Sequence, residues 1–526
     1  MKKIGLFLMA CLLASGASSQ GSEKIIPAVV HAEILHGKGT EWGKEVEACV
    51  DDEFSNQIAF IKQLFQQELS ITIKVTNNRK ATLRFEYDKK LTTPAERYQI
   101  AIGFNQVVVS AASVRGIVNG TVSLVQLPNE KDGRYFLQPE NINDYPAYSY
   151  RGLHLDVVRH IFPLEYIKKY IDYITFHKLN TFHWHLTDDQ GWRMEVLSYP
   201  KLNSIGSWRD QTLIGHFKDT PIKYDGTRYG GFYTRDQIKE VLAYAKERGI
   251  EVIPEIDIPG HSRATIAAYP ELSTKPDTTW NVAQTWGMYN RQNNVLAPND
   301  ATFTFLNTIF KELIELFPST YIHIGGDECS KLWWKQDPKT KEFMKANGIK
   351  DEVALQTYFI EKVAGDVKGM GRKVIGWHEI AEGKVDTTTL IMNWADDKKA
   401  IEVAQKGFSV IQTPGKPFYF DHYQSLTNKD SLAIHGFNPV DSVYNYSLVP
   451  ASIRKAGLAH KVIGGQANVW TEYMGYSTKV DYMIFPRVTA LAENLWGTNK
   501  NYADFQRRLK EYMYKRYERW GSSYFH

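Results

Sequence analysis

Cysteine is almost missing from this chain: three residues in 526, at positions 11, 49 and 329. So few thiols exclude a disulfide framework and a cysteine-rich metal fold. Long apolar runs are missing too. The best, Ile4 to Leu13, is too short to cross a bilayer, so no transmembrane segment is expected. Charge of one sign is scarce: 63 Lys and Arg against 59 Asp and Glu leave a formal net charge of +4, with no long basic block. Nothing in that balance forms a nucleic-acid footprint, and no nucleic-acid partner is expected. Short internal repeats and low-complexity tracts are also absent.

What is present is ordinary globular material, 43% hydrophobic and 23% charged, long enough for about two domains. Aromatics are abundant, with 13 Trp, 30 Tyr and 25 Phe. Core packing uses most of them, but such a supply also suits sugar faces. Residues 1–20 read as a secretory signal: Lys2 and Lys3, the short apolar run, then Ala14-Ser15-Gly16-Ala17 for cleavage. An exported, periplasmic or secreted protein is expected. Leu8-Met9-Ala10-Cys11 loosely resembles a lipobox and offers a lipid anchor at Cys11 as an alternative, against which the continuing apolar run counts. Cys329 reads as a small buried thiol rather than a nucleophile.

Residues 21–146 mix strand and helix patterns. Helical spacing covers 57–67 and 113–127, and alternation marks strands at 71–75, 82–86, 98–102 and 106–110, predicting a small α+β domain. From 147 to 526 the rhythm becomes strand–helix alternation. Strands are expected at 151–157, 181–188, 250–257, 321–328, 373–379, 389–394, 408–413 and 461–470. Helices fit at 163–178, 234–248, 302–316, 351–369 and 398–406, with one more at 482–496 and an amphipathic C-terminal helix from Tyr502. The predicted fold class is α/β: a (β/α)8 TIM barrel preceded by a small α+β domain. Active sites of such barrels lie at the C-terminal ends of the strands. There the sequence puts Asp188, Asp257, Asp327 and Glu328, with Trp377, Trp394 and Trp470. The long connections 189–233 and 414–460 are candidate walls of the site.

The densest signal is Tyr321-Ile-His-Ile-Gly-Gly-Asp-Glu328. Neighbouring strand residues point to opposite faces. A Gly-Gly distortion just before the pair lets Asp327 and Glu328 converge on one ligand, where two acids take two roles. Alone, the tetrapeptide reads equally well as a surface turn. His183 and His185 share a strand face and offer a metal reading, but no further His cluster completes a shell. Hydrogen-bonded barrel histidines are the preferred reading, with no metal and no cofactor expected.

These motifs together resemble the glycoside hydrolase family 20 β-N-acetylhexosaminidases over nearly the whole mature chain. The matching stretches are Arg151-Gly-Leu-His-Leu-Asp156 with Arg159-His160, His183 to Arg193, Asp257-Ile-Pro-Gly-His261, and His323 to Glu328. Further on come Gly376-Trp377, Asn393-Trp394, Tyr419-Phe-Asp421 and Gly465 to Glu472. Phe420 stands where the family often has Leu. The resemblance implies exo-hydrolysis of terminal β-GlcNAc or β-GalNAc from a glycan, by substrate-assisted catalysis through an oxazolinium intermediate, as is known for this family. It implies Glu328 as acid and base, Asp327 on the acetamido N–H, Tyr419 on the acetamido oxygen, and Asp188 with His261 as a relay behind Glu328. Trp377, Trp394 and Trp470 are implied as pocket walls, and Arg151, Asp421 and Glu472 as ligands of sugar hydroxyls. Two other readings stay open at this point: an inactive sugar-binding protein on the same fold, and a metal-dependent hydrolase built on His183 and His185.

Overall fold

The structure is a computed structural model that describes residues 21–427, 431–497 and 500–526. The signal segment and the lipobox reading lie outside these residues. The small domain carries a seven-stranded sheet in the order His31–Ile34, Glu140–Asp144, Tyr98–Gly103, Gln106–Ala111, Leu83–Tyr87, Glu45–Val50, Thr72–Val75. Helices Ile58–Leu69 and Val114–Leu124 accompany it. The second helix opens on Ser113, whose side chain accepts from the Gly116 N–H, and its buried residues pack against the sheet.

The remainder closes into an eight-stranded parallel barrel: β1 Tyr150–Asp156, β2 Thr181–His185, β3 Glu251–Ile258, β4 Tyr321–Gly325, β5 Lys373–Trp377, β6 Leu390–Asn393, β7 Ser409–Gln412 and β8 Val462–Ala467. All eight expected strands are present. Side-chain alternation divides each strand between two cores. Outward residues such as Leu153 and Leu155 join the large core under the helices. Inward Tyr150, Ile253, Ile375, Leu390, Met392 and Ile411 fill the lower barrel. Above them the interior turns polar, with His154, His183, His185, Glu255 and His323 fully buried.

Helix starts follow their caps. Thr234 forms a capping box with Gln237, and Asn299, Asp351 and Asp396 each accept a first-turn N–H. Asn299 explains why the helix begins at Asp300, two residues before the sequence pattern. The single helix expected at 482–496 is two, Ser477–Ile484 and Arg487–Trp496, because Pro486 has no N–H to continue the ladder. The C-terminal helix is likewise segmented, Tyr502–Arg508 and Tyr514–Arg519 around a wide turn at Leu509–Met513. It docks on the small domain, where Glu68 accepts from Arg516 Nε at 2.7 Å and Trp520 Nε1 at 2.8 Å.

Candidate active site

β4 stops at Gly325. Gly325 and Gly326 have φ of +66° and +103°, a region that side chains strain to enter. A Cβ on Gly325 would meet Asp257 Oδ1 at 1.7 Å, and one on Gly326 would meet Ile380 Cγ2 at 2.2 Å. Both positions therefore require glycine. The bend turns Asp327 and Glu328 into the same cavity, as the sequence pattern anticipates. Glu328 and His261 themselves hold φ of +42° and +47°, a strained conformation that collects at functional positions.

The cavity, about 670 Å³, opens at the C-terminal end of the barrel. Ten of the residues singled out from sequence line it: Asp188, Asp257, His261, Asp327, Glu328, Trp394, Tyr419, Asp421, Trp470 and Glu472. Trp377 lies beneath the lining. It is fully buried, donates through Nε1 to Glu255 at 3.0 Å, and its ring centre is 6.0 Å from that of Trp470. Of the two long connections, 414–460 contributes Lys416 and the Ile434-His435-Gly436 turn to the wall. Connection 189–233 contributes no lining residue; it braces that turn from behind, His216 Nε2 lying 2.8 Å from the Ile434 carbonyl oxygen.

His261 is the electrostatic pivot. Its Nδ1 lies 3.0 Å from Asp188 Oδ1, and its Nε2 lies 3.5 Å from Glu328 Oε2 and 3.8 Å from Asp327 Oδ2. Burial works against its charge, but Asp188 and then Asp257 outweigh burial and hold the imidazolium well above the usual range. That cation, 3.5 Å from Oε2, depresses the Glu328 carboxyl. Asp327 is pushed up to about 6, mainly by burial, with His261 opposing and Glu328 adding. With Glu328 half-exposed and Asp327 nearly buried, the proton of this cluster rests on His261. Burial, then Asp421 and Asp327, raise the Tyr419 hydroxyl far above its ordinary pKa, so it remains a donor. Asp421 Oδ1, Glu472 Oε2 and Asp327 Oδ1 are buried oxygens without a hydrogen-bond partner. Burying such groups is costly unless something pairs with them.

Arg151 is not at the site. It is the second residue of β1, at the end of the barrel remote from the cavity, and its side chain points outward. There it pairs with Glu96 of the small domain and donates to the Lys178 and Tyr148 carbonyl oxygens at 2.9 and 2.8 Å. The arginine that lines the cavity is Arg159, just past the end of β1. Its Nη2 is 2.8 Å from Asp188 Oδ2 and 4.0 Å from Glu472 Oε1. Arg151→Met is expected to cost about 3 kcal/mol of stability by leaving buried Glu96 with Asn180 and the more distant Arg115, with KM of the folded fraction unchanged. Arg159→Lys keeps the charge but loses the planar fork, and is expected to raise KM about tenfold. Thermal unfolding together with steady-state kinetics on both variants checks the exchange of roles.

The histidine cluster that the sequence conceals is real. His154, His183, His185 and His323 converge on Glu255 inside the barrel, and subsets of them lie within 4.8 Å, close enough to hold an ion, as do Asp188, Asp257 and His261. Within these groups Glu255 lies at ion-pair distance from His183, His185 and His323, and Asp188 from His261. Cys49 and Cys329 are free and buried, and burial pushes the Cys329 thiol up to about 12, far from a thiolate nucleophile. A second cleft of about 690 Å³ lies between the small domain, the barrel helices Leu164–Phe176 and Arg235–Glu247, and the C-terminal helix, but its cations are spent on neighbours, Lys168 on Glu240, Lys169 on Asp481, Arg248 on Asp172 and Arg519 on Glu68.

Residues 148–499 match the family described as "Glycosyl hydrolase family 20, catalytic domain", and residues 22–145 match "Glycosyl hydrolase family 20, domain 2". A beta-hexosaminidase of Porphyromonas gingivalis is 39% identical over 432 residues, 80% of this chain and 54% of its own length. The chain thus spans about half of that relative. A beta-hexosaminidase of Akkermansia muciniphila is 31% identical over 451 residues, 83% of this chain and 87% of its own. Among solved structures, the family 20 exo β-N-acetylglucosaminidase of Vibrio harveyi, in complex with N-acetylglucosamine, superposes with a TM-score of 0.83 at 29% identity. It covers 97% of this chain and 79% of that one.

Proposed function

The chain belongs to glycosyl hydrolase family 20, and from that premise we propose that it is an exo-acting β-N-acetylhexosaminidase. It removes terminal β-linked GlcNAc or GalNAc from a glycan, using the substrate's own acetamido group as nucleophile. The observation that carries this reading is the division of labour built into one carboxylate pair. Asp327 is nearly buried and offers an unpartnered Oδ1 to the cavity, whereas Glu328 is 49% exposed beside the His261 imidazolium.

The chemistry follows from those positions. The acetamido oxygen attacks the anomeric carbon as the bond to the leaving oxygen breaks, and Glu328 delivers a proton to that oxygen. Asp327 accepts the acetamido N–H and faces the positive charge of the oxazolinium; Tyr419 donates to the oxygen. Water then attacks the anomeric carbon, Glu328 takes its proton, and the ring reopens with retained configuration. A bound aglycone strips water from Glu328, raises its carboxyl, and draws the His261 proton onto it. Trp394 and Trp470 enclose the sugar above buried Trp377. Arg159 with Asp421 and Glu472 supplies hydroxyl ligands, which would pair the two orphaned oxygens. Intramolecular attack has a high effective molarity, and a fixed carboxylate suits the cation that forms.

Asp327→Asn is the test. The variant is expected to lower kcat more than it raises KM on aryl β-GlcNAc and β-GalNAc substrates. Asp327 acts ionised, so wild-type kcat/KM is expected to fall as pH drops through about 6, where burial has placed its carboxyl. That acid limb is expected to vanish in the variant. A change confined to KM would make Asp327 a ground-state contact and remove the mechanism.

A further inference from the structure

We propose that His185 and Glu255 are positioning residues for this reaction. They extend the Asp188–His261 pair into a continuous acid–imidazole chain, from the centre of the barrel to Glu328, that governs release of the proton. The inference rests on the reading of Glu328 as acid and base. Glu255 Oε2 lies 2.5 Å from His185 Nδ1, and His185 Nε2 lies 2.9 Å from Asp188 Oδ2. Asp188 Oδ1 then meets His261 Nδ1 at 3.0 Å, and His261 Nε2 faces Glu328 Oε2 at 3.5 Å. Five groups, carboxyl and imidazole in alternation, are joined by these four contacts.

The protonation state follows from geometry. Both ring nitrogens of His185 face carboxylate oxygens at hydrogen-bond distance, and a carboxylate only accepts. A neutral ring would aim a lone pair at one of them, so His185 is an imidazolium held between two anions. Its ring neighbours fit that assignment. His183 accepts from Gln466 Nε2 at its Nδ1 and turns its Nε2 to Glu255 at 3.0 Å, as a neutral ring does. His154, 5.6 Å from the His185 ring, is kept neutral by burial. Glu255 is also fixed by Trp377 Nε1. The same carboxylate therefore anchors the tryptophan under the cavity and the inner end of the chain.

The cation has a consequence at the far end. Asp188 is shared among His185, Arg159 and His261. Its hold on the His261 proton is weaker than that of a carboxylate serving one imidazole. The other acids facing His261 are Asp189 at 3.6 Å, Asp327 at 3.8 Å and, in the same buried cluster, Asp257, whose carboxyl burial and then Asp327 push well above the usual range. Where ionised they tighten that hold, and the His185 cation opposes them. Removing it makes His261 keep its proton, leaves Glu328 a poorer acid, and moves the basic limb of the pH profile upward.

The experiment is His185→Gln, which retains a donor towards Asp188 without the charge, measured beside the wild type and Glu328→Gln in the full chain. Two β-GlcNAc glycosides are compared across pH, one with an alkyl leaving group and one with a good aryl leaving group. On the alkyl glycoside kcat is expected to fall about tenfold or more, with KM within about twofold, and the basic limb to rise. On the aryl glycoside, which needs little protonation, the loss is expected to stay within about threefold. Equal losses on both glycosides with an unmoved limb would reduce His185 to packing and overturn the proposal. Neutron diffraction on the wild type decides independently, even if the variant does not fold: deuterons are expected on both ring nitrogens of His185, and a single one refutes the chain. Retention of alkyl-glycoside activity by Glu328→Gln would instead bring down the parent reading, an outcome separate from either of these.

Discussion

A β-glucoside is expected to react more than about a thousandfold slower in kcat/KM than a β-GlcNAc glycoside with the same leaving group. Its 2-hydroxyl cannot close an oxazolinium ring, so the intramolecular nucleophile is lost, and with it several kcal/mol of effective molarity. The glucoside also leaves the Tyr419 hydroxyl and the buried Asp327 Oδ1 without partners. Each unpaired polar group in a closed pocket costs about 1–3 kcal/mol. A thiazoline analogue of the intermediate is expected to inhibit competitively, since it offers Asp327 the geometry of the charged state. Comparable rates on the two glycosides, or a sugar trapped covalently on a carboxylate, would show a two-carboxylate mechanism instead.

Glu328→Gln is expected to lower kcat on natural glycans by about 10²–10⁴, the usual worth of a positioned general acid. The glutamine keeps the shape of the side chain 3.5 Å from His261 Nε2 but has no proton to give. The deficit is expected to shrink for the bond-breaking step when the leaving group is a good one. The second step still needs a base to activate water, so added azide, an anion that needs none, is expected to restore turnover and yield a glycosyl azide. Near wild-type hydrolysis of an alkyl glycoside by the variant would end the assignment.

The comparison of Arg151 with Arg159 shows how far the sequence could be read. Both arginines stand in the same motif, eight residues apart. Counting along β1 separates them: Arg151 is the strand's second residue, and its partner in alternation is Leu153, so it faces the helices at the end away from the cavity. Arg159 follows the strand's C-terminal end, where the chemistry of a barrel collects. The histidine cluster was less accessible. His154, His183, His185, Glu255 and His323 come from four strands, and no local spacing joins them. Only closure of the barrel sets their registers side by side, His154 against His183 and Glu255 against both His185 and His323.

The sequence by itself determined the periodic pattern and hence the barrel. Parallel strands buried on both faces read as apolar runs, and several helix starts carry their own cap, so these elements are written locally. It also determined the Asp327–Glu328 pair, because two glycines with no room for a Cβ leave a visible mark. Tertiary structure alone decided which charges meet. That Arg151 serves the domain interface, that Arg159 reaches Asp188, and that Glu255 anchors both Trp377 and His185 all depend on contacts between residues distant in the chain. Proton affinity is set by burial and by neighbours within a few ångströms, and those distances exist only after folding.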